Sequence, residues 1–180
     1  MNTHTRLLSG GLLGMAMVAG CHAPPSAADL EAQRAMLALL MPARIEIVEP
    51  FTRVKSFDQD DTPDGIELFL RAVNALDNPG LMIVGQVRVE LYQYVPASAD
   101  PKGARLVDWT VDLSTRQQQQ MFWNQLTQMY ELRLGLDPAT IPPASRYVLL
   151  VTYRSPLGEV LTDDFVIQQP SGPRAAGSPR

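Results

Sequence analysis

The chain has 180 residues, of which 46% are hydrophobic and 19% are charged, and its formal net charge is -4. This composition predicts one globular domain with flanking segments, and an acidic chain without runs of Lys and Arg is a poor partner for nucleic acid. The only cysteine, Cys21, and both histidines, His4 and His22, lie near the amino terminus. The body of the chain therefore cannot supply a Ser-His-Asp triad, a Cys-His pair or a zinc site built on Cys or His. We expect a protein that is not an enzyme.

The amino terminus is typical of an export signal. Arg6 precedes an apolar run, Leu7 to Val18, which is shorter than the roughly 20 residues that a membrane-spanning helix needs. The run leads into Val18-Ala19-Gly20-Cys21, an aliphatic residue and two small residues before a cysteine. This tetrapeptide resembles the lipobox of bacterial lipoproteins. The alternative is that Cys21 is a free cysteine buried near the end of a soluble domain.

The resemblance implies a specific form of attachment to the membrane. Residues 1–20 would be removed as a signal peptide, and Cys21 would carry a diacylglyceryl group on its sulfur and an acyl chain on its amine. Several acyl chains hold a protein firmly on a bilayer, whereas one holds it only marginally. In proteins with this signal, a residue other than Asp after the cysteine favours the outer membrane, and here it is His22. We therefore predict a cell-envelope protein on the outer membrane, facing the periplasm.

Residues 21–42 are predicted to form a linker and one helix. Ser26 and Asp29 have the spacing of a capping box, and Pro42 stands where a helix through about Leu40 should have ended. We expect the apolar face of this helix to rest on the domain or on a partner. The last segment, residues 169–180, is rich in Pro, Gly, Ser and Ala and predicts a disordered tail.

Residues 43–168 are dominated by a period of two, which predicts a mainly β domain of about seven antiparallel strands in a sandwich. The strand candidates are ARIEIVE, GIELFLRAV, QVRVELYQY, RLVDWTVDL, YELRLGL, RYVLLVTYR and GEVLTDDFVIQ. The proline-rich approach to Tyr147 resembles the tyrosine corner of immunoglobulin-like and fibronectin-like domains, which implies that this phenol bonds to a backbone group upstream. A short helix is predicted between strands, with Met121, Phe122, Gln125, Leu126 and Met129 at helical spacing.

Two groups of residues are candidates for binding sites. Asp58, Asp60, Asp61 and Asp64 lie in one loop and could offer oxygen ligands to calcium, although an Asp-rich turn explains the same pattern. Tyr94, Trp109 and Trp123 could form an aromatic platform for sugars, although aromatic residues of a small sandwich belong more often to its core or rim. No cofactor other than the lipid on Cys21, and calcium as this alternative, is expected.

Asp163 and Asp164 are adjacent in a predicted strand, so their side chains should point to opposite faces. This geometry argues against a carboxylate pair for hydrolysis and favours a charged edge strand that discourages aggregation.

The combined expectation is a lipid-anchored envelope protein that presents a β-sandwich for structural or protein-binding work as an adaptor. The alternatives are a glycan- or calcium-binding envelope module and an assembly lipoprotein of a secretion complex. For the last, the segment VRVELYQY at residues 87–94 is similar to a strand of the small sandwich lipoproteins that serve as outer-membrane adaptors of type VI secretion complexes. The partners predicted are the membrane and another envelope protein.

Overall fold

A computed structural model describes residues 26–58, 63–137 and 144–169. The predicted signal peptide, the lipobox residues Val18, Ala19 and Gly20, the lipidation site Cys21, and the carboxyl-terminal tail from residue 170 onward lie outside these ranges. So do Asp60 and Asp61 of the aspartate-rich loop.

The described chain is mainly β, with two helices and nine strands. The helices are α1 (Ala27–Leu40) and α2 (Arg116–Phe122). The strands are β1 (Pro42–Ile47), β2 (Arg53–Lys55), β3 (Gly65–Asn74), β4 (Gln86–Tyr94), β5 (Lys102–Asp112), β6 (Trp123–Asn124), β7 (Met129–Gly135), β8 (Arg146–Arg154) and β9 (Val160–Gln168). Seven of them match the strands predicted from the period of two. The two that the sequence pattern missed, β2 and β6, have only three and two residues, too few to establish a period.

The strands form two antiparallel sheets. Sheet A has the order β1-β3-β7-β6, and the short strand β2 pairs with β3 next to β1. Sheet B has the order β5-β4-β8-β9. The core lies between the sheets and uses the inward-facing alternate residues of both, as the period of two predicts. Its fully buried aliphatic members include Leu68, Leu70, Val89, Leu91 and Val151. This arrangement is consistent with the predicted β-sandwich.

Helix α1 begins with the predicted capping box. The hydroxyl of Ser26 accepts a hydrogen bond from the amide of Asp29 at 3.2 Å, and the Asp29 carboxylate accepts one from the amide of Ser26 at 3.0 Å. Every residue of α1 is exposed. The expectation that its apolar face rests on the domain is therefore wrong for this structure. Neither described helix is long and apolar enough to cross a membrane.

Helix α2 is shorter than the sequence pattern predicted. Thr115 caps it by accepting from the amide of Gln118 at 3.2 Å, but the helix ends at Phe122. Trp123 leaves the helix because it pairs with Tyr130 across the turn that joins β6 to β7. The predicted helical residues Gln125 and Leu126 lie in that turn, and Met129 begins β7. Pairing with β7 thus overrides the local helical spacing.

Two hydrogen bonds connect the sheets along their sides. On one side, the Asp163 carboxylate of β9 accepts from the amide of Ile47 on β1 at 2.6 Å. On the other, Nε1 of Trp109 on β5 donates to the carbonyl of Gly135 on β7 at 3.2 Å. β9 is an edge strand, as predicted, and Asp164 is exposed on it. Asp163 also holds two strands together, a role that its sequence context did not indicate.

The phenol of Tyr147, near the start of β8, accepts a hydrogen bond from the amide of Ala144 at 3.0 Å. The bond runs to a backbone group upstream, as the resemblance to the tyrosine corner implied. It fixes the point at which the chain returns from sheet A to sheet B.

Candidate protein-binding groove

The described part of the aspartate-rich loop has the geometry of a turn. The Asp64 carboxylate accepts from the amide of Phe57 at 2.7 Å, and the Asp58 carboxylate accepts from the hydroxyl of Ser56 at 3.0 Å. Asp60 and Asp61 lie outside the described residues, so the predicted four-carboxylate set is described only in half. Within the ranges described, no group of three or more His, Cys, Asp or Glu side chains is arranged to hold a metal ion.

The three aromatic residues proposed as a platform lie at separate places. Trp109 pairs with Val89 in sheet B, whereas Tyr94 lies five residues further along β4, about 17 Å away at the rise of a strand. The guanidinium of Arg146 covers the Tyr94 ring at 5.1 Å. Trp123 lies in sheet A, with its ring edge-on to Tyr130 at 4.9 Å between centroids. These positions do not bring the three rings onto one surface.

A buried hydrogen-bond cluster, made by Tyr130, Gln119 and Ile83, holds α2 against the sandwich. The Tyr130 phenol donates to the side-chain oxygen of Gln119 at 2.7 Å and accepts from the amide of Ile83 at 2.9 Å. The side-chain nitrogen of Gln119 donates to the carbonyls of Ile83 and Leu113, each at 2.6 Å. Burial raises the pKa of Tyr130 to about 12, although its hydrogen bonds to Ile83 and Gln119 act in the other direction.

This buried hydrogen-bond cluster places α2 beside an open groove of about 590 Å³. Met121 and Phe122 from the last turn of α2, together with Trp123 of β6, give the groove apolar walls. Glu131 and Arg133 of β7 supply its polar side. The full lining is Met121, Phe122, Trp123, Asn124, Gln125, Glu131 and Arg133.

The groove runs beside an unpaired strand edge. β6 pairs only with Met129 and Tyr130, so no strand in the described ranges pairs with the outer edge of β7 from Glu131 to Leu134. At Gly135 the edge ends, because the backbone carbonyl already accepts from Nε1 of Trp109 at 3.2 Å. The amide of Leu136 donates to the carbonyl of Asp64 at 2.7 Å, which places that residue's backbone groups toward β3. Because backbone groups alternate along an antiparallel strand, those of Arg133 point away from β3 toward the groove.

The charges in the groove are accessible. The guanidinium of Arg133 lies 3.3 Å from the carboxylate of Glu131, and the Arg133 side chain is 68% exposed. An ion pair this exposed contributes little stability, because solvent screens it. The Arg133 side chain is therefore available to a binding partner at small cost, whereas the Glu131 side chain is only 26% exposed.

A second charged cluster, outside the groove, has a structural role. The Glu67 carboxylate is nearly buried on the outer face of sheet A, 2.9 Å from the ammonium of Lys55 and 3.0 Å from the guanidinium of Arg53. Burial alone would raise the pKa of Glu67, but the hydrogen bonds from Lys55 and Arg53 outweigh it and hold that pKa below its usual value. The cluster attaches β2 to β3.

Trp123 was one of the residues predicted from sequence to bind, but no sequence pattern predicted the groove. Arg133 and Glu131 alternate with buried leucines and look like ordinary outward residues of a strand. Only the two-residue length of β6 leaves their edge free, and that length is a property of the turn rather than of any motif.

Comparisons with protein-family models, with curated proteins and with solved structures return no match for this chain.

Proposed function

We propose that this is a non-catalytic, lipid-anchored protein of the bacterial cell envelope, on the outer membrane, whose β-sandwich binds another envelope protein as an adaptor. The anchor is supported by the lipobox-like sequence from Val18 to Cys21. The observation that carries the binding role is the unpaired edge of β7 beside the groove.

An unpaired edge recognises extended segments of other proteins. A partner strand can bond to the outward amide and carbonyl groups, while neighbouring pockets accept its alternate side chains. Here Met121 and Trp123 would contact an apolar side chain, and Arg133 would pair with an acidic one. Charged side chains discourage indiscriminate pairing at an exposed edge, and Glu131 and Arg133 have this effect here, so a partner strand should carry side chains that complement them.

We further propose an immunoglobulin-like architecture for the sandwich. In such domains four strands form one sheet in the order A-B-E-D, and C, F and G form the second, with an additional strand beside C in some types. Sheet A has this order when β1, β3, β7 and β6 are taken as strands A, B, E and D. Sheet B has it when β4, β8 and β9 are taken as C, F and G, with β5 as the additional strand beside C. The bond from the Ala144 amide to the Tyr147 phenol supports the same assignment.

The binding role can be tested by photo-cross-linking in cells. A photoreactive amino acid at position 133 should give a discrete adduct with an envelope protein, identified by mass spectrometry. The same amino acid at Thr162, an exposed position on edge strand β9, is the control and should give none. Equal adducts at both positions, or none at position 133, would contradict the proposed site.

A proline variant tests strand pairing itself. In this test the photoreactive amino acid is moved to position 121, which also lines the groove. Arg133→Pro removes the amide that points away from β3, so it should abolish the adduct formed from position 121 while the domain stays folded. An adduct that persists would show that the partner does not pair with this edge. The anchor is tested separately by Cys21→Ser, which should lose both lipid labelling and membrane sedimentation.

A further inference from the structure

Exposed apolar side chains are concentrated at one end of the sandwich, which we call the entry end because β1 begins there. The other strands that begin at this end are β4, β7 and β9, and β3 and β8 finish at it. The connecting segments 75–85, 113–128 and 155–159 therefore surround the entry end. Among the described residues, twelve of the fourteen exposed large hydrophobic side chains belong to α1, to these segments or to the first residue of β9. They are Leu30, Met36, Leu37, Leu39, Leu40, Leu76, Met82, Val84, Met121, Leu126, Leu157 and Val160.

The backbone at this end is held in place where these side chains project. Ile83 is buried and bonded to Tyr130, and the carbonyl of Val84 accepts from the Tyr153 phenol at 2.7 Å. The neighbouring side chains of Met82 and Val84 are nevertheless exposed. Leu126 is 96% exposed at a turn whose backbone is capped by Asn124, and Leu157 is 79% exposed at the turn between β8 and β9. A leucine left in water forgoes the favourable free energy of burying its side chain, so a covering surface would be stabilising.

We propose that the entry end rests on the lipid bilayer, with the apolar end of α1, Ala35 to Leu40, in the membrane interface and the turns that expose Leu126 and Leu157 contacting lipid. Met121, which lines the groove, stays with the protein partner. This inference rests on the proposed anchor, which brings a bilayer to this end. Cys21 lies five residues before Ser26, and a single residue, Met41, separates α1 from β1. The chain therefore reaches the sandwich from the membrane through the same end that exposes its apolar side chains.

Helix α1 has one apolar end. Its charged residues, Asp29, Glu31 and Arg34, lie within its first eight residues, and the last six, Ala35 to Leu40, are entirely apolar. Polar and apolar residues are thus separated along the axis rather than on opposite faces, so the apolar end is the part suited to the boundary between headgroups and acyl chains. Acidic residues are at least as numerous as basic ones on α1, so binding should not require anionic lipids.

The contact can be measured on vesicles without the anchor. The test chain spans residues 21–180 with Cys21→Ser, which keeps every described residue and leaves no thiol. Leu126→Cys and Leu157→Cys each provide one site for an environment-sensitive fluorophore, and Ser98→Cys in the turn between β4 and β5, at the opposite end, is the matched control. We expect a blue shift on phosphatidylcholine vesicles at positions 126 and 157 but not at 98. Adding anionic phosphatidylglycerol or salt should leave the shift unchanged, since the contact does not depend on basic residues.

A second variant separates lipid contact from other causes. Leu126→Ser with Leu157→Ser should lower the vesicle partition coefficient by at least about tenfold, because each side chain loses its burial in lipid. Val95→Ser, at the opposite end, should leave it unchanged. No blue shift at positions 126 and 157, or an equal shift at 98, would overturn the proposal.

Two further outcomes distinguish this inference from the proposed function. A blue shift that occurs only in native membranes, and not on vesicles, would show that a protein covers the entry end and would overturn lipid contact. The opposite outcome combines two results: a blue shift of the test chain on vesicles, and no lipid on Cys21 of the unaltered chain in cells. Together they would uphold lipid contact and overturn the anchor.

Discussion

The Tyr130 phenol joins three parts of the chain, and removing its oxygen should destabilise all of them together. It bonds to Gln119 on α2 and to Ile83 in the segment between β3 and β4, while its ring packs in the core from β7. Tyr130→Phe preserves the ring and its edge-on contact with Trp123. The substitution therefore removes only the hydrogen bonds.

The expected cost follows from what the substitution leaves behind. The amide of Ile83 and the side-chain oxygen of Gln119 both lose a partner, and Tyr130 is fully buried, so water cannot easily replace the phenol. An unsatisfied buried polar group costs about 1–3 kcal/mol. Allowing for partial rearrangement of the Gln119 amide, we expect the free energy of unfolding to fall by about 2–4 kcal/mol.

Urea denaturation followed by tryptophan fluorescence would measure this loss. The midpoint should shift while the slope stays unchanged, since the surface exposed on unfolding is nearly the same. Tyr94→Phe is the control, because the Tyr94 ring keeps its contact with Arg146, and it should change the unfolding free energy by less than about 0.5 kcal/mol. A Tyr130→Phe protein within that same margin of wild type would refute the assignment of α2 positioning to this hydroxyl.

The same hydroxyl should make stability sensitive to alkaline pH. The pKa of Tyr130 is about 12 in the folded chain and 10.0 for an unperturbed tyrosine. Its contribution is therefore fully present below pH 10.0 and is lost as pH rises toward 12, because the unfolded chain loses the proton first. We expect a fall of about 1.4 kcal/mol per pH unit in that window from this group, and Tyr130→Phe should remove that component. An unchanged alkaline slope in the variant would contradict the origin proposed here.

Three further comparisons use paired positions or conditions. Asp163→Ala should cost about 1–2 kcal/mol because it leaves the Ile47 amide without its partner, whereas Asp164→Ala should be near neutral; equal effects in urea titrations would contradict this difference. Gly85→Ala should cost more than about 2 kcal/mol, since Gly85 has φ +143° and a Cβ there would collide with the carbonyl of Arg154. Gly135→Ala should be tolerated, because a Cβ at Gly135 has open space. The melting temperatures of the two variants test this difference. The contribution of Glu67, whose pKa is lowered, should be present above its unperturbed value of 4.5 and lost as pH falls below it; Glu67→Gln should flatten that part of an acid titration of stability, and an unchanged acid limb would argue against the ion pairs.

The period of two was sufficient to locate most of the long strands because alternate residues of these strands turn toward the same core, whereas β8 is buried on both faces. β3 contains an exception: its outward residue Glu67 is nearly as buried as the inward ones, since the Lys55 and Arg53 side chains of the neighbouring strand β2 cover it. A strand of three residues is too short to be recognised from periodicity. Its effect on Glu67 could not be predicted from local sequence.

The groove was unpredictable for a related reason. The helical spacing of Met121 and Phe122 continues to Gln125 and Leu126, and nothing local indicates that Trp123 will leave the helix to pair with Tyr130. That pairing depends on β7 being anchored in sheet A, which is a tertiary effect. The free edge of β7 exists only because the resulting strand, β6, ends after two residues.

Two hydrogen bonds connect the sheets, from Ile47 to Asp163 and from Trp109 to Gly135. Because neither is covalent, they affect the kind of cellular compartment in which the chain can fold. Immunoglobulin domains of antibodies link their sheets with a disulfide, which needs an oxidising compartment. With Cys21 as its only cysteine, this chain cannot form an internal disulfide. Its native state is therefore independent of redox conditions, so the sandwich can reach it without a thiol oxidase, and reducing agents should leave its urea midpoint unchanged.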